Sequence, residues 1–232
     1  MNSKIIIIVP AYEPDDKLIK LLDELVKEKY NVIIIDDGSG SNYKDIFDKC
    51  MEGAHIISYS ENRGKGYALK TGYKYIRDNY KENCIIVTMD CDGQHTVNDA
   101  KKLIKECNDN RESLIIGKRL RSGETPLRSR VGNSITSFLF KLVSGKTIYD
   151  TQSGLRAFGS ELLDYMIAID GNRFEYEMNV LLKCAKDNIK MNEIAITTIY
   201  INNNEKSHFK ALKDSYRIYK NIFKFTLSHR RK

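Results

Sequence analysis

Two aspartates one residue apart follow an apolar stretch near the middle of the sequence. The stretch from Ile85 to Met89 predicts a buried strand, and it runs directly into Asp90-Cys91-Asp92-Gly93-Gln94-His95. Alternate residues of an extended chain face the same side, so Asp90, Asp92 and Gln94 are predicted to point one way. Their carboxylate and amide oxygens suit Mg²⁺ or Mn²⁺, which keep bound water and hold substrate phosphates. The alternative is a turn whose carboxylates cap the next helix.

Polar residues follow two other apolar stretches in the same manner. The first predicted strand ends in Pro10-Ala11-Tyr12-Glu13, and the second ends in Asp36-Asp37-Gly38-Ser39. Because ligands bind beyond the carboxyl ends of parallel strands, three such ends at one sheet edge predict a nucleotide pocket. Tyr12 can cover a base, and Asp37 can accept a hydrogen bond from a base N–H or a ribose hydroxyl.

A glycine-rich turn, Asn62-Arg63-Gly64-Lys65-Gly66, precedes a predicted helix. Its glycines allow close approach of the backbone to a phosphate at the helix start, and Lys65 would add positive charge. A plain turn with a solvated lysine explains the same residues. The sequence has neither the dinucleotide glycine pattern after its first strand nor a G-x-x-x-x-G-K-[ST] loop, which argues against those two nucleotide-binding classes.

The elements that must position these residues alternate along the chain. Strands are predicted at 5–9, where Pro10 is expected to end the strand, and at 32–35, 55–59, 85–89 and 114–117. Helices are predicted at 15–29, 43–51, from the glycine turn to 80, and at 97–108. Repeated strand–helix pairs indicate an α/β fold with a mostly parallel sheet. Further on, helices at 133–143 and 173–186, a strand at 155–158 and one or two late strands within 189–202 are predicted.

Composition limits the class of protein. The 232 residues include 38 Lys and Arg against 31 Asp and Glu, so the net charge of +7 favours an anionic partner. Nucleic acid, a membrane surface and a phosphorylated metabolite all satisfy that condition. The five cysteines are odd in number and lack Cys-x-x-Cys spacing, which predicts free thiols in a reducing compartment. No stretch approaches the roughly 18 apolar residues of a membrane span, so we expect a soluble or peripheral protein.

Five sequence blocks in this order resemble family 2 glycosyltransferases of the GT-A fold. They are Val9-Pro10-Ala11-Tyr12, Ile35-Asp36-Asp37-Gly38-Ser39, Asn62-Arg63-Gly64-Lys65-Gly66, Asp90-Cys91-Asp92-Gly93-Gln94-His95 and Asp150-Thr151-Gln152-Ser153-Gly154-Leu155-Arg156. Within the family, the chain is similar to polyprenyl-phosphate sugar synthases related to dolichyl-phosphate mannosyltransferase. The resemblance implies an inverting hexosyltransferase that uses a nucleotide-sugar donor, Mg²⁺ or Mn²⁺, and a polyprenyl phosphate acceptor. Glu13-Pro14 departs from the Asn-Glu that many relatives carry after the tyrosine.

The resemblance also implies a role for individual residues. Arg119 matches the arginine of a Gly-x-Arg loop that closes over the donor, and Asp150 matches the general base of relatives with hydroxyl acceptors. The catalytic candidates are Asp150, Arg119 and Arg130, and the metal candidates are Asp90, Asp92 and Gln94. The donor candidates are Pro10, Ala11, Tyr12, Glu13, Asp37, Lys65, Asp90, Arg119 and His208. The acceptor candidates are Arg128, Arg156, Glu175 and Glu177. A uridine diphosphate sugar is preferred to a guanosine diphosphate sugar.

A basic helix is predicted from Phe209 to Leu227. Basic residues recur at steps of three and four, namely Lys210, Lys213, Arg217, Lys220 and Lys224. Beside them lies an apolar stripe of Phe209, Leu212, Tyr216, Tyr219, Phe223 and Leu227, widened by Ile218, Ile222 and Phe225. Such a helix can lie in a membrane interface, or it can pack on its own domain or on a second copy. We therefore divide the chain into a glycosyltransferase domain, 1–204, and a membrane-proximal helix, 205–232.

The resemblance sets the expected location and partners as well. We expect a cytoplasmic protein on the inner face of the plasma membrane, in which a separate flippase-like membrane protein takes the place of the membrane domain that relatives carry. A homo-oligomer is left open. One alternative is transfer to a hydroxyl of a polysaccharide or teichoic-acid-like polymer, with Asp150 as base. Another is a non-catalytic basic nucleotide- or nucleic-acid-binding protein, although the sequence has no recognition helix or zinc knuckle, so nucleic acid is not expected.

Overall fold

A computed structural model of the chain describes residues 3–81, 83–120, 127–197 and 211–229. Within these ranges, strands and helices alternate through most of the chain. They are β1 (Lys4–Ala11), α1 (Lys17–Lys27), β2 (Asn31–Asp36), α2 (Lys44–Cys50), β3 (His55–Ser58), α3 (Lys65–Asn79), β4 (Cys84–Thr88), α4 (Val97–Asp109), β5 (Leu114–Arg119), α5 (Leu127–Ser144), β6 (Arg156–Gly159), α6 (Leu163–Ala168), α7 (Glu175–Lys186), β7 (Met191–Ile196) and α8 (Ala211–His229).

The strands form one sheet in the order β3-β2-β1-β4-β6-β5-β7. All neighbouring pairs are parallel except those of β6, which runs antiparallel between β4 and β5. The carboxyl ends of β1, β2, β4 and β5 therefore meet at one edge of the sheet. This arrangement confirms the predicted α/β fold with a mostly parallel sheet flanked by helices.

Apolar side chains from the central strands pack on both faces of the sheet. In β1, Ile6 and Ile8 pack with α3 and α7 on one face, whereas Ile7 and Val9 pack with α1 and α4 on the other. Successive residues of a strand face opposite ways, so a strand covered on both sides needs an unbroken apolar run. That requirement explains the run of isoleucines in β1.

Several boundaries differ from the sequence predictions, and the largest shift is in α5, which begins at Leu127 instead of near residue 133. The first strand was expected to stop at Pro10, but β1 continues through it to Ala11. The pairing with β4 ends at Ile8, and beyond that residue β1 pairs only with β2. A proline, which cannot donate a backbone hydrogen bond, is tolerated where a strand has lost a neighbour. The short helix α6, which follows a 3₁₀ turn at Ser160–Leu162, was not predicted.

Helix α8 packs against α5 and α7. Ile218 and Ile222 are buried there, and they join the same hydrophobic core as the strands. Tyr216 and Phe223 are exposed instead. In the part of the chain that the structure describes, no helix combines the length and apolarity that crossing a membrane requires.

Candidate active site

A buried lysine joins two carboxylates at the edge where the strands end. The Lys65 Nζ atom, at the start of α3, lies 2.7 Å from Asp90 Oδ1 and 3.0 Å from Glu177 Oε1. Burial alone would lower the pKa of Lys65, but the two carboxylates raise it above its usual value. Burial opposes ionisation of Asp90, yet Lys65 and His95 hold the pKa of Asp90 well below its usual range. Lys65 and Asp90 therefore form a charged pair at neutral pH.

Asp90 is also enclosed by the loop before β6. A Cβ atom on Gly154 would lie 2.2 Å from Asp90 Oδ2, so no larger residue fits there without displacing the carboxylate. The Thr88 hydroxyl donates to the Gly154 carbonyl at 2.8 Å and fixes this approach. Gly154, in the Asp150 to Arg156 block, is thus needed to leave room for the Asp90 carboxylate. His95 is buried, with Nε2 at 3.8 Å from Asp90 Oδ2.

Asp92 and Gln94 follow Asp90 in a turn at 91–93, so the extended chain that was expected to point all three side chains one way is not present. Asp92 is exposed, and its Oδ1 accepts a hydrogen bond from the Gln94 backbone N–H at 3.0 Å. Partial loss of hydration and the adjacent Asp90 carboxylate raise the pKa of Asp92. A bound cation would relieve that repulsion, and its ligands would be the hard oxygens of Asp90, Asp92 and Gln94.

The donor set fits a cation that is shared with a substrate. In the described ranges, no group of three or more His, Cys, Asp or Glu side chains is close enough to hold a metal by itself. Mg²⁺ typically takes one or two carboxylates and completes its shell with water and substrate phosphates. The predicted ligands Asp90, Asp92 and Gln94 are two carboxylates and an amide, which is the composition that such a shared cation takes, and their joint binding of a metal stays a prediction.

Asp37 organises the turn that precedes α3. Its carboxylate accepts hydrogen bonds from the Tyr59 hydroxyl at 2.6 Å, the Asn62 amide at 3.0 Å and the backbone N–H groups of Arg63 and Gly64 at 2.8 to 3.1 Å. Both carboxylate oxygens are engaged within the protein. The structure therefore gives Asp37 a part in folding this turn, and its contact with a nucleotide stays a prediction.

Close backbone contacts join the same turn to the start of α7. A Cβ atom on Gly66 would lie 2.5 Å from Tyr176 Cβ, and one on Gly64 would lie 2.5 Å from the Asn172 carbonyl. The Tyr67 N–H donates to that carbonyl at 2.9 Å, and the Arg173 guanidinium donates to the Asn62 side chain at 3.0 Å. The glycines are thus needed for helix packing, whether or not they also contact phosphate.

A second charged pair joins β5 to the loop before β6. Arg119 Nε lies 2.7 Å from Asp150 Oδ2, and the Arg119 terminal nitrogen lies 2.8 Å from Oδ1. The backbone N–H groups of Arg119 and Gln152 also donate to this carboxylate, at 3.1 and 3.2 Å. Burial by itself would raise the pKa of Asp150, but the bonds from Arg119 hold it below its ordinary value. Asp150 is therefore an ionised partner of Arg119 with both oxygens engaged.

Two residues that the sequence analysis missed hold Asp150 in place. Glu193, on β7, accepts from the backbone N–H groups of Tyr149 and Asp150 at 2.8 to 3.0 Å. Asn133, on α5, donates to the Tyr149 carbonyl and accepts from the Thr151 N–H. Neither residue stands in a recognisable motif, and the contacts join positions 16 to 44 residues apart along the chain, so local sequence carries no signal of them.

The predicted acceptor residues are placed in three different ways. Arg156 is buried, and its guanidinium donates to the backbone carbonyls of Ser153, Glu177 and Thr151, so it holds the loop against α7 instead of facing an acceptor. Glu175 accepts from the N–H groups of Asn172 and Arg173 at the start of α7, where the helix dipole favours an acidic residue. Glu177 is an ion-pair partner of Lys65.

The remaining donor candidates lie at the end of β1 or outside the described residues. A hydrogen bond with Glu13 raises the pKa of Tyr12, and the Glu13 N–H donates to the Ser39 hydroxyl at 2.9 Å. Pro10 and Ala11 are buried in β1. Arg128 and Arg130 contribute backbone to the first turn of α5, and their side chains lie outside the described part of the chain. His208 falls in the range 198–210, which the structure does not describe.

Comparisons with known proteins agree with this architecture. The family model for glycosyl transferase family 2 matches residues 6–166. An uncharacterised protein of Methanocaldococcus jannaschii is 34% identical over 205 residues, covering 86% of this chain and 83% of that protein. UDP-N-acetylglucosamine–dolichyl-phosphate N-acetylglucosaminyltransferase of Methanococcus voltae is 30% identical over 222 residues, covering 86% of this chain and 88% of that protein.

The fold also matches a solved glycosyltransferase. Glucosyl-3-phosphoglycerate synthase from Mycobacterium tuberculosis, in a crystal structure with Mn²⁺, uridine diphosphate and phosphoglyceric acid, superposes with a TM-score of 0.69. The sequence identity is 16%, and the match covers 98% of this chain and 78% of that chain. At this identity the likeness establishes the fold alone.

Proposed function

This chain belongs to glycosyl transferase family 2, and from that premise we propose that it transfers a hexose from a UDP-sugar to a polyprenyl phosphate. Two kinds of relative support the proposal. The Methanococcus voltae protein is named for UDP-N-acetylglucosamine and dolichyl phosphate. A dolichyl-phosphate beta-glucosyltransferase of Saccharomyces cerevisiae is 26% identical, covering 82% of this chain and 65% of that protein.

The pairing of Asp150 with Arg119 is the observation that carries the choice of acceptor. A hydroxyl acceptor must lose its proton as it attacks, and so it needs a carboxylate that can take that proton. The family resemblance assigns such a base to Asp150, but Arg119 binds both oxygens of this carboxylate and lowers its pKa. A phosphomonoester is already an anionic nucleophile at pH 7 and needs no base. The geometry therefore favours a phosphate acceptor over a polysaccharide hydroxyl.

The proposed reaction is a single displacement at the anomeric carbon. An oxygen of the acceptor phosphate attacks that carbon from the face opposite the nucleotide. A new C–O bond forms as the bond to the nucleoside diphosphate breaks, and the diphosphate leaves with the electron pair, which inverts the anomeric configuration. Held side by side, donor and acceptor also gain the rate advantage of proximity.

The residues of this chain have separate roles in that step. Asp90, Asp92 and Gln94 would hold Mg²⁺ or Mn²⁺, which when bound offsets the charge that develops on the leaving diphosphate. Lys65 keeps Asp90 ionised. The guanidinium of Arg119, positioned by Asp150, contributes positive charge beside the two anionic substrates.

The location follows from the proposed acceptor. A polyprenyl chain stays in the bilayer, so the enzyme must work at a membrane surface, and we place it on the cytoplasmic face where nucleotide sugars are available. A separate flippase-like membrane protein would then move the product across. The basic residues of the segment 205–232 would add attraction to an anionic leaflet, at about 1 kcal/mol each.

The proposal is tested by transfer of labelled sugar into extractable lipid. Radiolabelled UDP- and GDP-sugars are each incubated with polyprenyl phosphate, with and without Mn²⁺, for the wild type and for Asp92→Ala. We expect metal-dependent label in the lipid from a UDP-sugar, and a loss of at least about 100-fold in Asp92→Ala. Asp109→Ala, an exposed position at the far end of α4, is the matched control and should transfer like the wild type.

The assay separates the alternatives as well. Label transferred to lipid from a GDP-sugar would support the proposed reaction but would identify a GDP-sugar as the donor. Hydrolysis of the donor without lipid label would indicate a hydroxyl acceptor. An absence of both activities across the panel would contradict the proposed reaction.

A further inference from the structure

Helix α5 carries a row of large apolar side chains that the rest of the described chain leaves uncovered. Val131, Ile135, Phe138 and Leu142 are exposed by 50, 44, 65 and 70%. We name these four residues the α5 stripe. A folded domain normally buries such residues or spaces them singly, and a contiguous exposed apolar patch marks an interaction surface.

The spacing of the α5 stripe places it on one side of the helix. Steps of four, three and four residues keep the four positions within an arc of about 60°, since each residue turns the helix by roughly 100°. The opposite side of α5 holds the buried residues Thr136 and Phe140. The helix is therefore apolar on two sides, of which the protein core uses one.

The charged residues in the sequence of α5 and of the first part of the loop after it are all basic. From 127 to 149 the sequence has four basic residues, Arg128, Arg130, Lys141 and Lys146, and no Asp or Glu. Lys141 and Lys146 are exposed. An apolar stripe on a helix whose sequence carries basic and no acidic residues, and which does not combine the length and apolarity needed to cross the bilayer, is typical of a helix lying in an anionic membrane interface.

The α5 stripe lies one helix thickness from the proposed acceptor site. Asn133 and Thr136, on the inner side of α5, bond to Tyr149 and Thr151, which flank Asp150. A membrane against the outer side of α5 would thus be separated from the Asp150–Arg119 pair by about 10 Å, the width of a helix with its side chains. A phosphate at the head of a lipid could cover that distance while its chain stays in the bilayer.

We propose that the α5 stripe is the surface by which this protein docks on anionic membranes. The bound partner is the lipid bilayer: the apolar side chains enter the headgroup region and the basic residues contact lipid phosphates. A stripe of four side chains is small beside the roughly 20 to 30 residues that each partner contributes to a stable protein interface, which argues against a second copy. The proposal rests on the proposed function for its biological purpose, but docking is measured without donor or acceptor.

The absence of tryptophan from the sequence makes a direct test possible. Phe138→Trp and, as matched control, Met51→Trp each introduce a single tryptophan, which can be excited selectively, at a side chain exposed by 65 and 62% respectively. Met51 follows α2, which connects β2 to β3, and these strands lie at the opposite end of the sheet from β5 and β7. On adding vesicles of phosphatidylcholine with about a third phosphatidylglycerol, we expect a blue shift and quenching by brominated lipid for Phe138→Trp only.

A binding measurement completes the test. Phe138→Ser with Leu142→Ser should reduce sedimentation of the full chain with the same vesicles by about tenfold or more, because two apolar side chains are lost from the interface. Met51→Ser should sediment like the wild type, and circular dichroism should show that all variants are folded.

Four results would overturn the proposal. They are the absence of a blue shift for Phe138→Trp, equal shifts at both tryptophan positions, equal binding to vesicles without anionic lipid, and a blue shift on concentrating the protein alone. The last would assign the α5 stripe to a second copy. A protein that docks as expected but transfers no sugar would retain this inference and contradict the proposed function.

Discussion

Lys65 illustrates how the role of a residue depends on distant neighbours. In sequence it sits between two glycines and fits either a phosphate contact or a solvated turn. In the structure its ammonium group is largely buried between Asp90 and Glu177, which come from β4 and α7. The solvated-turn interpretation is therefore wrong, and contact with a donor phosphate stays a prediction.

We predict that Lys65→Met destabilises the fold by about 3 kcal/mol, because it leaves two carboxylates near one another without their cation. The figure is the lower end of the usual range since the Asp90 side chain is 28% exposed. Urea unfolding monitored by circular dichroism measures the change. Lys74→Met, an exposed position on the same helix, should change stability by less than about 0.5 kcal/mol. Equal stability of the wild type and Lys65→Met would show that the cluster contributes nothing to folding.

Asp150 gives a prediction that separates the two acceptor classes. If Asp150 positions Arg119, Asp150→Asn keeps one acceptor oxygen for the guanidinium and should lower the rate of sugar transfer only about tenfold. The pH profile of the rate should keep the shape of the wild type, because the lowered pKa of Asp150 lies below the neutral range. A general base would instead account for about 100- to 10,000-fold. A loss of that size, with a changed pH profile, would support the hydroxyl alternative.

At the scale of elements, the contact between α3 and α7 depends on a helical glycine. We predict that Gly66→Ala destabilises the protein by about 1 to 3 kcal/mol, since the new Cβ atom would lie 2.5 Å from Tyr176 Cβ. The turn that carries Lys65 would shift too, so binding of the nucleotide should weaken.

Gly132→Ala is the matched control for that prediction. It is also a helical glycine, but its Cβ would meet nothing closer than the Gln152 amide at 3.9 Å. Alanine is the better helix former, so this variant should be about 0.5 to 1 kcal/mol more stable. Thermal unfolding of both variants measures the difference, and equal shifts in the same direction would contradict the close packing of α3 on α7.

Helix α8 has features of both structures that its sequence allowed, a helix packed on its own domain and a helix at a membrane interface. The residues that widen its apolar stripe, Ile218 and Ile222, pack on the protein, and two residues of the stripe itself, Tyr216 and Phe223, are exposed. Its described part is thus held by the core while it still presents apolar and basic side chains outward. Attachment of this segment to a membrane stays a prediction.

At the scale of the whole molecule, paired charges and buried phenols set the pH range of stability. Arg119 and Arg111 hold the pKa values of Asp150 and Glu161 below their ordinary 3.8 and 4.5, against the opposing effect of burial. Their stabilisation is complete above those values and is lost as pH falls through the folded-state pKa. Burial raises the pKa of Tyr73 above its ordinary 10.0, so that contribution is complete below about pH 10 and is lost above it.

We therefore predict that the midpoint of urea unfolding is nearly constant from about pH 5 to 8 and falls toward both pH 3 and pH 11. The alkaline fall begins with buried thiols such as Cys107 and Cys184, because burial raises their pKa values from 9.0 to about 12. Denaturation curves at steps of one pH unit measure it. Asp150→Asn should reduce the fall on the acid side. A midpoint that rises steadily from about pH 5 to 8 would contradict the prediction, because it would require a group with a shifted pKa inside that interval.

The sequence by itself determined the strands and the position of the site. A run of β-branched residues such as Ile5-Ile6-Ile7-Ile8-Val9 favours a strand buried on both faces, and the carboxyl ends of parallel strands share an edge. The α/β fold and the placement of Asp37 and Asp90 at that edge therefore followed from local pattern, whereas the family and the expected place of Arg119 came from the resemblance of five sequence blocks. The boundaries of helices and strands were predicted less accurately from the sequence. The formation of α6 and the continuation of β1 past Pro10 depend on which elements pack beside them.

Only the tertiary structure decided which charges meet and which apolar faces stay open. The Lys65–Glu177, Asp150–Arg119 and Asp150–Glu193 contacts join residues far apart in sequence, so no local spacing encodes them. The same contacts turned Arg156 from a predicted acceptor ligand into a support for backbone carbonyls. Periodicity shows that a helix has an apolar side, but whether that side is covered depends on everything packed around it, as α5 and α8 show.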